Sequence, residues 1–144
     1  MKNILVAIDF EDKAILLLEK AMEIAEKFNS KVWIVHIVAP DPDFIGYEIG
    51  PQYIRDSRAE ELRKEHKSLQ NLAKTLIEKG IDADGLLIQG ATREMILQES
   101  EKLNIDLIII GHHEHGLLYK IFAGSVAAQV IRHSKIPVLT VPIG

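Results

Sequence analysis

Strand-like and helix-like patterns alternate along the 144-residue chain, and this alternation predicts an α/β fold with a parallel sheet covered by helices on both faces. The strand-like runs are rich in β-branched residues and mostly lack polar alternation, which is typical of strands buried on both faces. The helix-like runs carry apolar residues at helical spacing. We expect five strands and four helices in a single domain over residues 1–144.

The predicted strands are short apolar runs, in chain order NILVAI, KVWIVHIV, ADGLLIQ, DLIIIG and IPVLTVPI. The last run has prolines near both ends, and a sheet tolerates proline chiefly in an edge strand. We therefore expect this strand at a sheet edge, where its open backbone groups invite another chain.

Four amphipathic patterns give the predicted helices. The first covers residues 14–28 and stops at the Asn-Ser pair that follows, and the second covers residues 62–77 and ends at a glycine. The third begins at Thr92, which is predicted as its N-cap, and ends near Asn104. The fourth starts near Ser125 and stops before the KIP segment.

The segment APDPDFIGYEIGPQYI, residues 39–54, contains three of the five prolines and two glycines. Prolines and glycines at this density predict one long irregular connection. Such a loop is often functional, and an ordinary surface loop fits the pattern equally well.

Composition excludes several classes of function. The net charge of -4 gives no general attraction to phosphate backbones, so no nucleic-acid partner is expected. The chain has no cysteine, which excludes a disulfide, a thiol nucleophile and a cysteine-based zinc site. No apolar run reaches the roughly 18 residues that a membrane span needs, and the first residues lack a cleavable leader pattern. We expect a cytoplasmic protein with no membrane partner.

The residues that end the predicted strands are the candidates for a binding site. In open parallel sheets, ligands bind beyond the carboxyl ends of the strands, where the strand order reverses. Asp9, Ile37, Gly90 and Gly111 all stand at such ends. The Asp9 carboxylate could accept hydrogen bonds from a ribose or an adenine amine, or it could cap the following helix. Gly111 would let the backbone approach a ligand or turn sharply.

The pair Gly124 and Ser125 opens the fourth predicted helix. The N-terminal N–H groups and the positive dipole end of a helix favour an anion, and the Ser125 hydroxyl could donate to a phosphate. The same arrangement also serves as a tight turn followed by an N-cap.

The histidine-rich loop does not predict a metal site. His112, His113 and His115 with Glu114 supply ligand atoms, but neighbouring residues of one loop rarely converge on one ion, and no helical H-x-x-x-H spacing is present. Ser125 lies outside any G-x-S-x-G elbow, so we predict no catalytic residue.

Four segments, taken in order, resemble the universal stress protein family over essentially the whole chain: ILVAIDFEDKAILLLEKAMEIA, IVHIV, QGATREMILQESEKLNIDLIIIG and GSVAAQVIRHSKIPVLTVPI. The nucleotide-binding branch of that family carries a G-x2-G-x9-G-[ST] motif. Gly111, Gly124 and Ser125 match its first, third and last positions with the full length kept, and Glu114 stands at the second.

The resemblance implies a Rossmann-like three-layer sandwich with a five-stranded parallel sheet of order 3-2-1-4-5 and four helices. It implies that adenine lies near Asp9 and the main chain of Ile37, beside Gly90. It also implies that the phosphates are held by the loop from Gly111 through Glu114 and Gly124, and by Ser125 and Val126 at the start of the last helix. The expected cofactor is ATP or another adenine nucleotide, with Mg²⁺ as an optional companion.

Two functions remain open. The first is a stress-response protein that binds an adenine nucleotide and regulates an unidentified protein partner, and the alternative is a nucleotide-free dimeric interaction module of the same fold. The resemblance implies a homodimer through the C-terminal strand. No evident general base is present, so we expect no enzyme beyond slow ATP hydrolysis. If Glu114 faces the crevice, its charge opposes a γ-phosphate, and AMP or ADP should be preferred over ATP.

Overall fold

Five parallel strands form one sheet in the structure, a computed structural model that describes residues 1–10, 13–38, 52–112 and 126–143, with the backbone alone for 52–57. The strands are β1 (Asn3–Ala7), β2 (Lys31–Val38), β3 (Ala83–Gln89), β4 (Leu107–His112) and β5 (Val138–Pro142). Their order across the sheet is β3-β2-β1-β4-β5, and all four neighbouring pairs are parallel. The predicted sheet and strand order are confirmed.

Four helices cover the sheet: α1 (Ala14–Phe28), α2 (Gln52–Glu78), α3 (Thr92–Lys102) and α4 (Val126–His133). The core residues of α1 and α2 pack with Ile4 and Val6 of β1, whereas those of α3 and α4 pack with Leu5. Successive side chains of a strand point to opposite faces, so the two helix pairs lie on opposite sides of the sheet. The predicted three-layer arrangement with four helices is confirmed.

Burial on both faces explains why the strands lack polar alternation. Ile4, Leu5 and Val6 are completely buried although they alternate between the two helical layers. In β4, all four residues from 107 to 110 are buried. Each of these positions therefore needs an apolar side chain, and a continuous apolar run results.

The four described helices end at or near their predicted stop signals, and Gly80 after α2 and Asn104 after α3 both have positive φ. Helix α1 ends at Asn29, which adopts a left-handed conformation with φ 56°, as predicted from the Asn-Ser pair. Phe28 and Ile77 belong to the apolar stripes read from the sequence, yet they are 59% and 54% exposed. Each lies in or near the last turn of its helix, where the sheet no longer covers the stripe.

Two predicted boundaries are wrong. Thr92 is the first residue of α3 and not its N-cap, which is Ala91 in an extended conformation with no side-chain cap hydrogen bond. Helix α2 begins at Gln52 and not at Leu62, so it takes in the last residues of the predicted connection 39–54. The residues from 52 to 61 are mostly polar and form no apolar stripe, and periodicity detects only helices with one buried face. Residues 39–51 of that connection lie outside the described ranges.

Within the described ranges, no helix combines the length and the hydropathy that crossing a membrane requires.

Candidate functional site

A cavity of about 310 Å³ opens at the carboxyl ends of β1, β2 and β4. In the sheet, β2 is the neighbour of β1 on one side and β4 is its neighbour on the other, so the strand order reverses at β1. A crevice at such a reversal is the usual ligand site of an open parallel sheet. The described residues that line it are Ala7, Ile8, Asp9, Leu17, Val35, His36, Ile37, Thr92, Ile96, Ile110, Gly111, His112, Val126, Ala127 and Ile143.

Four of the predicted site residues meet in this cavity: Asp9, Ile37, Gly111 and Val126. They come from the ends of three strands and the start of α4, and the topology alone brings them together. The cavity wall also contains the buried side chains of Val35 and Ile96. A mostly apolar wall with a few polar groups is typical of sites for small organic ligands.

Asp9 lies two residues beyond β1 and is exposed at the cavity. The sequence left open whether it binds a ligand or caps the next helix. Helix α1 begins at Ala14, its N-cap residue is Lys13, and it has no side-chain cap hydrogen bond. Asp9 is therefore not the N-cap residue of α1, and it lies on the cavity wall.

One of the two predicted reasons for Gly111, a sharp turn, is wrong. Strand β4 continues through Gly111 to His112, so the chain makes no sharp turn there. A Cβ atom at Gly111 would lie 2.6 Å from Cδ1 of Ile143, which also lines the cavity. The missing side chain therefore admits Ile143 into the core.

Gly90 ends β3 but is not among the described residues that line the cavity. Its φ is +154°, and an added Cβ would lie 2.6 Å from Cγ of Met95. Its N–H donates to the carbonyl of Val38 at 3.0 Å. These contacts give Gly90 a packing role in the turn from β3 to α3.

The first turn of α4 faces the cavity through Val126 and Ala127. The described part of this helix begins at Val126, and the positive end of a helix dipole favours an anion. Three predicted phosphate-loop residues, Glu114, Gly124 and Ser125, lie outside the described residues, as do His113 and His115.

Polar contacts join α3 to α4 beside the cavity. Nη1 of Arg93 donates to Oε1 of Gln129 at 3.1 Å, and Nη2 donates to Oε1 of Glu94 at 2.5 Å. The backbone N–H of Glu94 and then the Arg93 guanidinium hold the pKa of the Glu94 carboxyl below its ordinary value.

No motif in the sequence singled out His36, but the structure places it in the cavity wall. The imidazole is buried, with Nδ1 3.0 Å from the carbonyl oxygen of Ile8 and Nε2 3.8 Å from Oε2 of Glu65. Leu17, Thr92 and Ile143 also line the cavity without having been predicted to do so. The one available signal for His36 was its position directly before Ile37 at a strand end.

Among the residues that the structure describes, no group of three or more histidine, aspartate or glutamate side chains is placed to hold a metal ion.

Comparison of the sequence with known proteins identifies its family. A sequence model of the universal stress protein family matches residues 1–142. The chain belongs to the universal stress protein family. One relative within this family, universal stress protein YxiE of Bacillus subtilis strain 168, is 29% identical over 144 residues, covering 96% of this chain and 97% of that protein.

Solved structures of universal stress proteins share the fold. The protein MJ0577 superposes with a TM-score of 0.77 at 26% identity, over 99% of this chain and 96% of its own. The Arabidopsis thaliana universal stress protein family protein At3g01520, solved with AMP bound, superposes with a TM-score of 0.71 at 20% identity, over 100% of this chain and 93% of its own. A universal stress protein in complex with cAMP superposes with a TM-score of 0.73 at 20% identity, over 98% of this chain and 96% of its own. An Archaeoglobus fulgidus universal stress protein in complex with dAMP superposes with a TM-score of 0.64 at 21% identity, over 97% of each chain.

Proposed function

We propose that this universal stress protein binds an adenine nucleotide in the cavity, and that nucleotide occupancy regulates a protein partner. One observation carries the proposal: the cavity has the Asp9 carboxylate on its wall together with the first turn of α4. A carboxylate accepts hydrogen bonds from ribose hydroxyls or an adenine amine, whereas a helix N-terminus favours a phosphate. A nucleotide carries these two kinds of group at its two ends.

The size and surface of the cavity support this ligand class. Its volume of about 310 Å³ falls at the lower end of the range of small-molecule sites, which is about 300 to 1,000 Å³. The apolar side chains of Val35, Ile37 and Ile96 offer a surface for a flat base. The site residues present therefore fit an adenine nucleotide.

The nucleotides named with the solved relatives support a monophosphate in particular. AMP, cAMP and dAMP each combine adenine, a sugar and one phosphate group. Glu114 replaces the second motif glycine in this chain, and if it faces the cavity its charge would oppose additional phosphates. We therefore propose AMP or ADP ahead of ATP, and Mg²⁺ only as the companion of a longer phosphate chain.

Isothermal titration with AMP, cAMP, ADP and ATP tests the proposal. Asp9→Asn keeps the shape of the side chain but removes the charged acceptor, and a hydrogen bond to a charged group contributes about 1.5 to 3 kcal/mol. AMP affinity should fall by about tenfold or more. The matched control is Asp82→Asn, because Asp82 is equally exposed but precedes β3 at the opposite end of the sheet. Its AMP affinity should stay within about twofold of wild type.

Two results would count against the proposal. Unchanged affinity in Asp9→Asn would move the ligand away from this cavity. Absence of binding for all four nucleotides would favour the nucleotide-free interaction module.

We also propose a homodimer through β5. Ile108 donates to the carbonyl of Pro137 at 3.0 Å, and Ile143 donates to the carbonyl of His112 at 2.9 Å. Residues of a parallel strand alternate in the direction of their backbone groups, so Thr140 turns its N–H and C=O outward, away from β4. No described residue is hydrogen-bonded to this outward side of β5, which can therefore pair with a second chain.

The opposite edge of the sheet is partly covered. The same alternation turns the carbonyl of Gly85 in β3 outward, and Nε2 of Gln70 from α2 approaches it at 3.4 Å. A side chain that occupies an edge carbonyl discourages pairing with another strand. The contrast between the edges favours β5 as the dimer surface.

We propose that the chain is a binding protein that hydrolyses ATP slowly at most. Turnover near the enzyme median of about 10 s⁻¹ would contradict it. A cytoplasmic location stays a prediction.

A further inference from the structure

We propose that His36 is a positioning residue for Asp9: its imidazole contacts the residues on both sides of Asp9 and so fixes the carboxylate on the cavity wall. The ligand in this inference rests on the proposed function, whereas the positioning itself can be tested without a nucleotide.

The first contact fixes the residue before Asp9. A carbonyl oxygen only accepts hydrogen bonds, so the 3.0 Å contact of Nδ1 with the Ile8 carbonyl requires the proton on Nδ1. The N–H of Ile8 donates to the carbonyl of Val35 at 2.9 Å. Ile8 lies one residue beyond β1, yet both of its backbone groups are bonded to β2.

The second contact fixes the residue after Asp9. The ring of Phe10 meets the His36 ring edge-on, with centroids 4.8 Å apart and an interplanar angle of 64°. Edge-to-face packing of this kind is favourable for aromatic pairs. Asp9 is therefore held between two residues that rest on one imidazole.

The far side of the ring faces α2 without a hydrogen bond to its described side chains. Nε2 of His36 lies 3.8 Å from Oε2 of Glu65, and the imidazole is only 11% exposed. The ring therefore has little room to move. A core histidine without a positioning role would be just as buried, but its replacement would change stability without acting through Asp9.

Two substitutions at His36 distinguish the role of Nδ1 from that of Nε2. Asparagine places an amide nitrogen near the position of Nδ1, so His36→Asn keeps a donor for the Ile8 carbonyl. Glutamine places its amide near Nε2 instead, so His36→Gln loses that donor. AMP affinity should stay within about threefold of wild type in His36→Asn and fall by about tenfold in His36→Gln. The control Glu65→Gln, which removes only the charge behind the ring, should change affinity by less than about twofold.

A double-mutant cycle tests whether His36 acts through Asp9. If it does, His36→Gln in an Asp9→Ala background should weaken AMP binding by less than about twofold further, because the carboxylate that His36 positions is already gone. An additive loss, or equal affinities in His36→Asn and His36→Gln, would overturn the inference.

Amide hydrogen exchange at Ile8 provides a readout without ligand. Exchange should be at least about fivefold faster in His36→Gln than in His36→Asn, because one anchor of Ile8 to β2 is missing. If the wild type binds no nucleotide, the proposed function fails, and these rates alone decide whether His36 holds the turn. Equal rates would overturn the inference.

Should His36→Gln fail to fold, Phe10→Leu serves as the second variant, because Phe10 is 36% exposed and its loss is mild. It should weaken AMP binding by about threefold and have no added effect in the Asp9→Ala background. Unchanged affinity in Phe10→Leu would contradict a role for this contact.

Discussion

Gly111→Ala should destabilise the fold because of Ile143, and Ile143→Val should relieve the damage. The added Cβ would lie 2.6 Å from Cδ1 of Ile143, whereas carbon atoms pack at about 3.5 to 4.0 Å, so the side chain must shift by about 1 Å. Ile143 is only 6% exposed, so its Cδ1 can move only within the core or toward the cavity that it lines. Overpacking of this kind costs about 1 to 3 kcal/mol.

The double variant gives the decisive comparison. Ile143→Val removes Cδ1 and by itself should cost about 0.5 to 1.5 kcal/mol. The nearest remaining Ile143 atom would be Cγ1, at 3.3 Å from the added Cβ. In that background, Gly111→Ala should cost less than about 0.5 kcal/mol, which corresponds to a coupling of about 1 to 2 kcal/mol.

Urea unfolding of the wild type, the two single variants and the double variant measures this coupling. Titration of the double variant with AMP adds a functional test. If Gly111 is glycine only to admit Ile143, the double variant should bind AMP within about twofold of wild type. Additive stability losses would refute the packing argument, and lost AMP binding in a stable double variant would show that the ligand itself needs the glycine.

Three further predictions concern assembly, phosphate preference and pH. Thr140→Pro removes an outward N–H from β5 without touching the bonds to β4, so light scattering should show a monomer where the wild type is a dimer. Glu114→Gly should raise ATP affinity by about tenfold over wild type in titrations at low salt. High salt should reduce this difference in affinity between the variant and the wild type, because an exposed charge is screened. Hydrogen bonds from the N–H groups of Asn3 and Lys2 hold the pKa of the Asp106 carboxyl below its ordinary value, so its stabilisation is present above about pH 4 and lost as the pH falls through the folded-state pKa. Asp106→Asn should therefore lower the free energy of unfolding at pH 7, by less than about 1 kcal/mol since the group is exposed, and by almost nothing near pH 2.

The predicted site residues that line the cavity share one property: each lies at the end of a strand or begins a helix. Asp9, Ile37 and Gly111 reach one cavity because parallel strands bring their carboxyl ends to the same edge of the sheet. This rule needs only the order of the elements, and the apolar runs supply it. Val126 follows for the same reason, as the start of a helix beside those ends.

Contacts that depend on register could not be predicted in this way. His36 reaches the Ile8 carbonyl because Ala7 pairs with Val35 across β1 and β2, and nothing in either run specifies that alignment. The fit of Gly111 to Ile143 likewise depends on how β5 lies beside β4. The early start of α2 escaped prediction for another reason, since its first turns have no apolar stripe to mark them.

The unequal edges of the sheet also limit how large an assembly can become. A sheet with two open edges can add further chains at both edges without limit. In a sheet with a single open edge, that edge is fully paired once two chains associate around a twofold axis. In the described part of this chain, Gln70 occupies one outward carbonyl of β3, whereas no described side chain occupies an outward group of β5. Pairing through β5 should therefore be preferred, and the amide of Gln70 would hinder further growth at β3.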